Sequence, residues 1–164
     1  MAKNDLTVER VLALLKFEPN TGDFIRLITV RPAQYAGCVA GSIQQNGYVE
    51  IGIDRYSYLA HRLAWFVTHH AWPTGQIDHI NGIRADNRIE NLRDVSPSMN
   101  SENQRKARKD SRSGVLGVTP FKGKWRAGIT IKKNHLHLGT FETIDAASDA
   151  YLKAKRRFHL GCTL

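Results

Sequence analysis

The sequence predicts an α+β chain built in two parts, and three observations carry that reading. Strand-like stretches rich in β-branched and aromatic residues alternate with short amphipathic helical patterns, and Gly, Asn and Asp clusters punctuate them. Charge is unevenly spread: residues 1–100 hold 10 Lys and Arg against 10 Asp and Glu, while residues 101–164 hold 14 against 5, which accounts for the whole net charge of +9. Between the parts, "RKARKDSRSG" is basic, polar and glycine-ended, without apolar periodicity after Ala107, as a linker is. The expected organisation is a domain over 1–104, a basic linker over 105–112 and a second domain over 113–164.

In the first domain, Thr7 is placed to N-cap a helix with Val8, Val11, Leu12 and Leu15 on one face. "EPNTGDF" is a turn cluster, and "FIRLITV" reads as a strand. "GCVAGSIQQNGYVEIGIDRYSYLA" reads as a small antiparallel scaffold with turns at Asn46-Gly47 and Asp54-Arg55. "HRLAWFVTHHAW" is a helix with Leu63, Phe66 and Val67 on its apolar face, stopped by Pro73. Its histidines His61, His69 and His70 have no second ligand cluster, so structural or solvated roles are expected.

Residues 75–109 then read strand, turn, strand, helix. "GQIDHI" and "ENLRDVS" are short strands around the turn "NGIRADN", and Ser96 with Pro97 forms a favourable N-cap and N1 pair for "SPSMNSENQRKARK". Adjacent strand residues point to opposite faces, so Asp78 and His79 can serve one site only if the strand ends or bends there; Asn81-Gly82 supplies that ending. Asp78 is a hard oxygen ligand, His79 a base with an ordinary pKa near about 6.5, and an asparagine oxygen can complete a magnesium site.

The second domain reads as a three-stranded antiparallel sheet, "GVLGVTPF", "KWRAGITIK" and "HLHLGTF", followed by one helix, "TIDAASDAYLKAKRRFH". Thr143 is its expected N-cap, and Ala147, Ala150, Tyr151, Ala154 and Phe158 its apolar side. Alternation puts Trp125, Ala127, Ile129 and Ile131 on the helix side of the sheet, and Arg126, Gly128, Thr130 and Lys132 on the free side with His135 and His137. Pro120 is expected to interrupt the first strand.

Basic charge gathered in the last third points to a polyanionic partner, nucleic acid first. A membrane partner is disfavoured, because no run of about 18 apolar residues exists and the basic stretch has no apolar helical face. "MAKNDLTVERV" has no apolar signal region, so a cytoplasmic location is expected. Cys38 and Cys162 stand far apart, which supports neither a zinc ribbon nor a disulfide framework. There is no dimerisation heptad, so a monomer is the default expectation.

Taken together, "LAHRLAW", "IDHINGIRADNRIENLRDVS" and "SMNSENQR" resemble the HNH endonucleases of phages and mobile elements, in the variant with asparagine in place of the last histidine. His79 and Asn91 lie 12 residues apart and Asn91 and Asn100 lie 9 apart, which fits a hairpin followed by a helix. The resemblance runs from about Leu6 to Gln104. It implies a ββα-metal region in which Asp78 and Asn100 hold one Mg2+ or Mn2+ ion and His79 takes a proton from the attacking water. It implies for Asn91 a catalytic-site role of bracing the hairpin, and for His61 and Asn103 support of the fold.

Ser113 to His159 is similar to the APETALA-type (ethylene-response-factor) DNA-binding domain, whose sheet lies in the DNA major groove. The resemblance makes Arg126 a candidate for a base edge, Lys124 and Lys132 for phosphate, and Lys122, Thr130 and His137 further DNA contacts, while Arg105, Lys106, Arg108 and Lys109 would track phosphate along the linker. The expected protein is a site-specific, phage-encoded homing endonuclease in the cytoplasm of a bacterial host, acting on double-stranded DNA without a small-molecule cofactor. Two other readings stay open: a non-cleaving DNA-binding regulator on the same scaffold, and an RNA-binding protein.

Overall fold

Thr7 opens the first helix by accepting a hydrogen bond from Arg10 N at 3.2 Å, and α1 runs Val8–Leu14. The helix ends one residue before Leu15, where the backbone turns extended and β1, Leu15–Glu18, begins. β1 pairs antiparallel with β2, Asp23–Arg26. Two expectations are corrected here. Leu15 belongs to a strand, buried in the core, while Leu12 is 44% exposed; packing of the β1–β2 hairpin overrides the helical period. The strand expected over "FIRLITV" stops at Arg26, and Leu27, Ile28 and Val30 lie about half exposed.

β3 (Ser42–Ile43), β4 (Val49–Ile53) and β5 (Tyr56–Leu59) form an antiparallel sheet in the order β3-β4-β5. The β4–β5 turn has positive φ at both Asp54 and Arg55, the primed geometry whose twist suits a hairpin. α2, Ala60–His69, follows β5 directly. It ends at His70 in the left-handed region, so the stop comes three residues before Pro73. Its buried residues Leu63, Ala64 and Phe66 pack with Val11, Leu15, Phe24, Ile51 and Ile77 in one core. The site hairpin, β6 (Gln76–His79) with β7 (Leu92–Val95), contributes Ile77 and Leu92 to it.

The computed structural model describes residues 5–159 and 161–162, and the outermost ends of the two expected domains lie outside them. The chain divides into two compact units, Met1–Val95 and Ser96–Leu164. The second begins with α3, Pro97–Glu102, whose N-cap Ser96 accepts from Met99 N at 3.3 Å. α3 is shorter than the helix expected up to Lys109, because residues 104–109 carry no apolar face to bury.

β8 (Val118–Phe121), β9 (Lys124–Ile131) and β10 (Asn134–Phe141) form a sheet in the order β10-β9-β8, and α4, Ile144–Phe158, packs on one face. Pro120 lies inside β8 rather than interrupting it, which an edge strand tolerates. Thr143 caps α4 by accepting from Ala146 N. Ala127 packs with Ala147, and Ile129 with Tyr151 and Ala154. Phe158, expected on that apolar side, is 39% exposed; Lys155 is buried there, with its ammonium donating to Gln104 O. Gly117 has φ +67, and a Cβ on it would stand 2.0 Å from the Tyr151 ring, so only glycine lets that ring close on the loop.

Candidate active site

β6 and β7 pair with Asp78 opposite Arg93 and His79 opposite Leu92, and β6 ends on His79. Just beyond, Ile80 N donates to Asn91 O and Gly82 N to His79 O, which turns the chain out of the strand. Asn81 Oδ1 then accepts from Ile83 N at 2.8 Å, a local turn of the kind asparagine favours.

Asn91 spans the loop with both ends of its amide. Its Oδ1 accepts from Asn81 N at 2.9 Å, and its Nδ2 donates to Asp86 O at 2.8 Å. Asp86 in turn accepts from Asn81 Nδ2 and from the Arg88 guanidinium, which with the other loop bonds holds its carboxyl down to about 2. The loop between the strands is therefore tied by side chains at 81, 86, 88 and 91, on a segment with no regular structure of its own until the 3-10 turn Ile89–Asn91.

Asp78 and His79 are both buried, at 6% and 4% exposure. Arg93 donates to Asp78 Oδ2 from Nε at 2.9 Å and Nη2 at 2.7 Å, which balances the buried carboxylate. His79 faces different neighbours. Its ring meets the edge of His61 at 5.1 Å between centroids and the Tyr48 ring at 5.8 Å, and Nε2 lies 3.5 Å from Asn87 Oδ1. Burial pushes the His79 imidazole below its ordinary value, partly opposed by the Asn87 contact and the Asp78 charge. A neutral imidazole is the form that accepts a proton.

Burial, then the His79 and Arg62 charges, takes His61 down to about 3. Its Nδ1 is buried without a hydrogen-bond partner among the described residues. His61 thus stands against His79 as a neutral ring. His69 and His70 are exposed, and among the described residues no group of three or more His, Cys, Asp and Glu is gathered as for a metal. A hard cation that takes one carboxylate, one amide oxygen, waters and a substrate phosphate asks for no such group; Asp78, the carboxylate expected for it, is paired with Arg93. Asn100, the expected amide ligand, lies half-buried on α3 with its N–H donating to Ser96 O at 3.0 Å. Asn103, at the end of α3, is buried.

The linker residues Lys106, Arg108 and Lys109 are exposed, and Arg105 is half-buried. In the second unit, Arg108, Arg126, Thr130 and Lys132 line one groove together with Arg112, Lys133 and His135. Arg105, Lys106, Lys109, Lys122, Lys124 and His137 lie outside that groove's lining. The free face of the sheet has the expected alternation up to Thr130, with Thr130 paired with His135, Gly128 with His137 and Arg126 with Thr140; Lys132, expected on that face, instead lies past the end of β9 in the turn to β10, with φ +48. The Arg126 guanidinium carbon lies over the Phe121 ring, 3.6 Å from its centroid, and Lys122 Nζ stands 5.5 Å from the same centroid. Lys124 is ion-paired with Glu142.

Sequence reasoning missed Arg93, Asn87, Tyr48 and the place of His61. Arg93 had a signal, since a hairpin drawn over 76–95 puts it opposite Asp78. Tyr48 comes from the β3–β4 turn about thirty residues earlier, and only the packed fold brings it to His79.

Residues 58–102 of the 164 match the family model described as HNH endonuclease, so an HNH endonuclease domain is found in the stretch that holds α2, the site hairpin and α3. No curated protein and no solved structure matches the chain. The match points to a nuclease or DNA-binding role with DNA as substrate or partner, in a family that generally uses a divalent metal and also has non-catalytic members. The comparisons give no support to the APETALA-type resemblance of Ser113–His159.

Proposed function

We propose that the chain is a divalent-metal-dependent DNA endonuclease of the HNH type, phage-encoded and site-specific, working in the cytoplasm of a bacterial host. The observation that carries this is His79. Within the matched HNH stretch, it is a buried imidazole held below its ordinary pKa at the end of a strand, next to a buried carboxylate.

Phosphodiester hydrolysis needs a base for the attacking water and relief of charge on the phosphate and leaving oxygen. His79 takes the water's proton. A Mg2+ or Mn2+ ion would supply the charge relief, held by Asp78 and Asn100. Asn91 fixes the loop that follows His79, and so keeps the imidazole aimed. The linker residues Arg105, Lys106, Arg108 and Lys109 follow phosphates, and the free sheet face with Arg126, Thr130 and His137, flanked by Lys122, Lys124 and Lys132, recognises duplex DNA.

One observation favours the second reading, a DNA-binding regulator that does not cut. Arg93 occupies Asp78 Oδ2 twice, so a cation at that oxygen has to compete with a guanidinium. Conversion of supercoiled plasmid to nicked or linear form separates the two. The endonuclease reading predicts conversion with Mg2+ or Mn2+ that a chelator stops. Binding without conversion under either ion, across varied phage DNA, moves the regulator ahead.

A further inference from the structure

Arg84 sits in the loop after His79, and the neighbouring hairpin holds it in three ways. Its Nη1 donates to Asn46 O at 2.7 Å, its guanidinium carbon lies 4.9 Å from the centroid of the Tyr48 ring, and its side-chain stem runs past Gly47, where an added Cβ would touch it at 3.7 Å. All three contacts are with the β3–β4 turn. The same Tyr48 ring also faces His79, and the Arg84 charge is felt at that imidazole.

Nothing in this arrangement neutralises the guanidinium. Arg84 is exposed, and among the described residues no carboxylate pairs with it; the nearby Asp86 is taken by Arg88 and Asn81. One of five donor hydrogens serves Asn46, which leaves most of the planar fork for an outside acceptor. A guanidinium whose stem and plane are already fixed loses little conformational freedom when it binds, and its geometry suits a phosphate.

We propose that Arg84 is a phosphate clamp: its guanidinium binds a backbone phosphate of the DNA strand that His79 addresses. The proposal rests on the reading of the chain as a DNA-acting HNH protein and adds a residue to it. Arg84 touches the strand rather than the reacting atoms, and it fixes which phosphate comes opposite His79.

Metal-free binding tests this without any cleavage. The full chain is titrated with a short labelled duplex of mixed sequence in chelator, over a salt series, as wild type, Arg84→Gln and Arg84→Lys. Arg84→Gln should weaken binding about tenfold at low salt, the size of a lost charge-assisted hydrogen bond. It should also make the slope of log affinity against log salt shallower by about 0.9, the share of one phosphate. Arg84→Lys should keep the slope, since it keeps the charge, and lose part of the affinity, since it lacks the fork. If both variants weaken binding alike with the wild-type slope, or if Arg84→Gln binds like wild type, the clamp is wrong. A wild type that binds no duplex brings down the DNA-acting reading itself and Arg84 with it, an outcome distinct from a binding wild type with an indifferent Arg84→Gln.

Discussion

Arg93 and Asp78 face each other across the β6–β7 hairpin, and both donors of the guanidinium edge converge on one carboxylate oxygen. The carboxylate is buried while the arginine is about a quarter exposed, so the pair compensates a charge that would otherwise be stranded. Arg93→Ala should therefore destabilise the protein by about 2–4 kcal/mol, below the full cost of breaking a deeply buried pair because solvent reaches the arginine. Adding Asp78→Asn to that variant should recover part of the loss, which urea unfolding of the double variant checks.

The two buried imidazoles make stability depend on pH. His61, at about 3, and His79, lowered by burial, both have folded values below the ordinary 6.5 of an unfolded histidine. The unfolded state then binds more protons below pH 6.5, so their contribution to stability is complete above that pH and is lost as pH falls towards the folded values. Between about pH 6.5 and 5, above the carboxylate range, the unfolding constant should rise by up to about tenfold per pH unit for His61 alone, and more steeply with His79. Urea midpoints across that window should fall, and His61→Phe should flatten the trend.

Asn91→Ala removes one acceptor and one donor from the loop after His79 and leaves Asn81 N and Asp86 O without them. A cost of about 1–3 kcal/mol follows from such lost bonds. Cleavage should fall because His79 is no longer aimed, while duplex affinity in chelator stays near wild type. Equal loss of both would place Asn91 in binding instead.

Gly117→Ala forces a side chain into the left-handed region and against the Tyr151 ring. The conformational penalty and the overpacking together come to about 3 kcal/mol. Hydrogen exchange should show protection falling in β8–β10 and α4, with β4–β7 unchanged.

The elements that rest on local chemistry were legible in the sequence. Thr7, Ser96 and Thr143 each bond a backbone N–H three residues on, and the site hairpin follows from two short apolar runs around an asparagine-rich turn. Where distant parts of the chain decide, sequence reasoning failed. Leu15 becomes a strand residue because a hairpin packs on it, and Lys155 takes the buried place expected of Phe158 because Gln104 O accepts from its ammonium. The same holds at the site. Asp78, His79 and Asn91 stood out by type and spacing, whereas the wall of Tyr48 and His61 behind His79 exists only once the β3–β4 turn and α2 are packed.

The central claim is that His79 takes the proton from the attacking water. The most direct measurement is the single-turnover cleavage rate of plasmid by wild type and His79→Ala, with Mg2+ and at saturating protein, so that both carry the same amount of bound DNA. The account predicts equal binding and a rate lowered by about 10²–10⁴-fold in the variant, the usual worth of a positioned base. A variant that binds and cuts at the wild-type rate would contradict it.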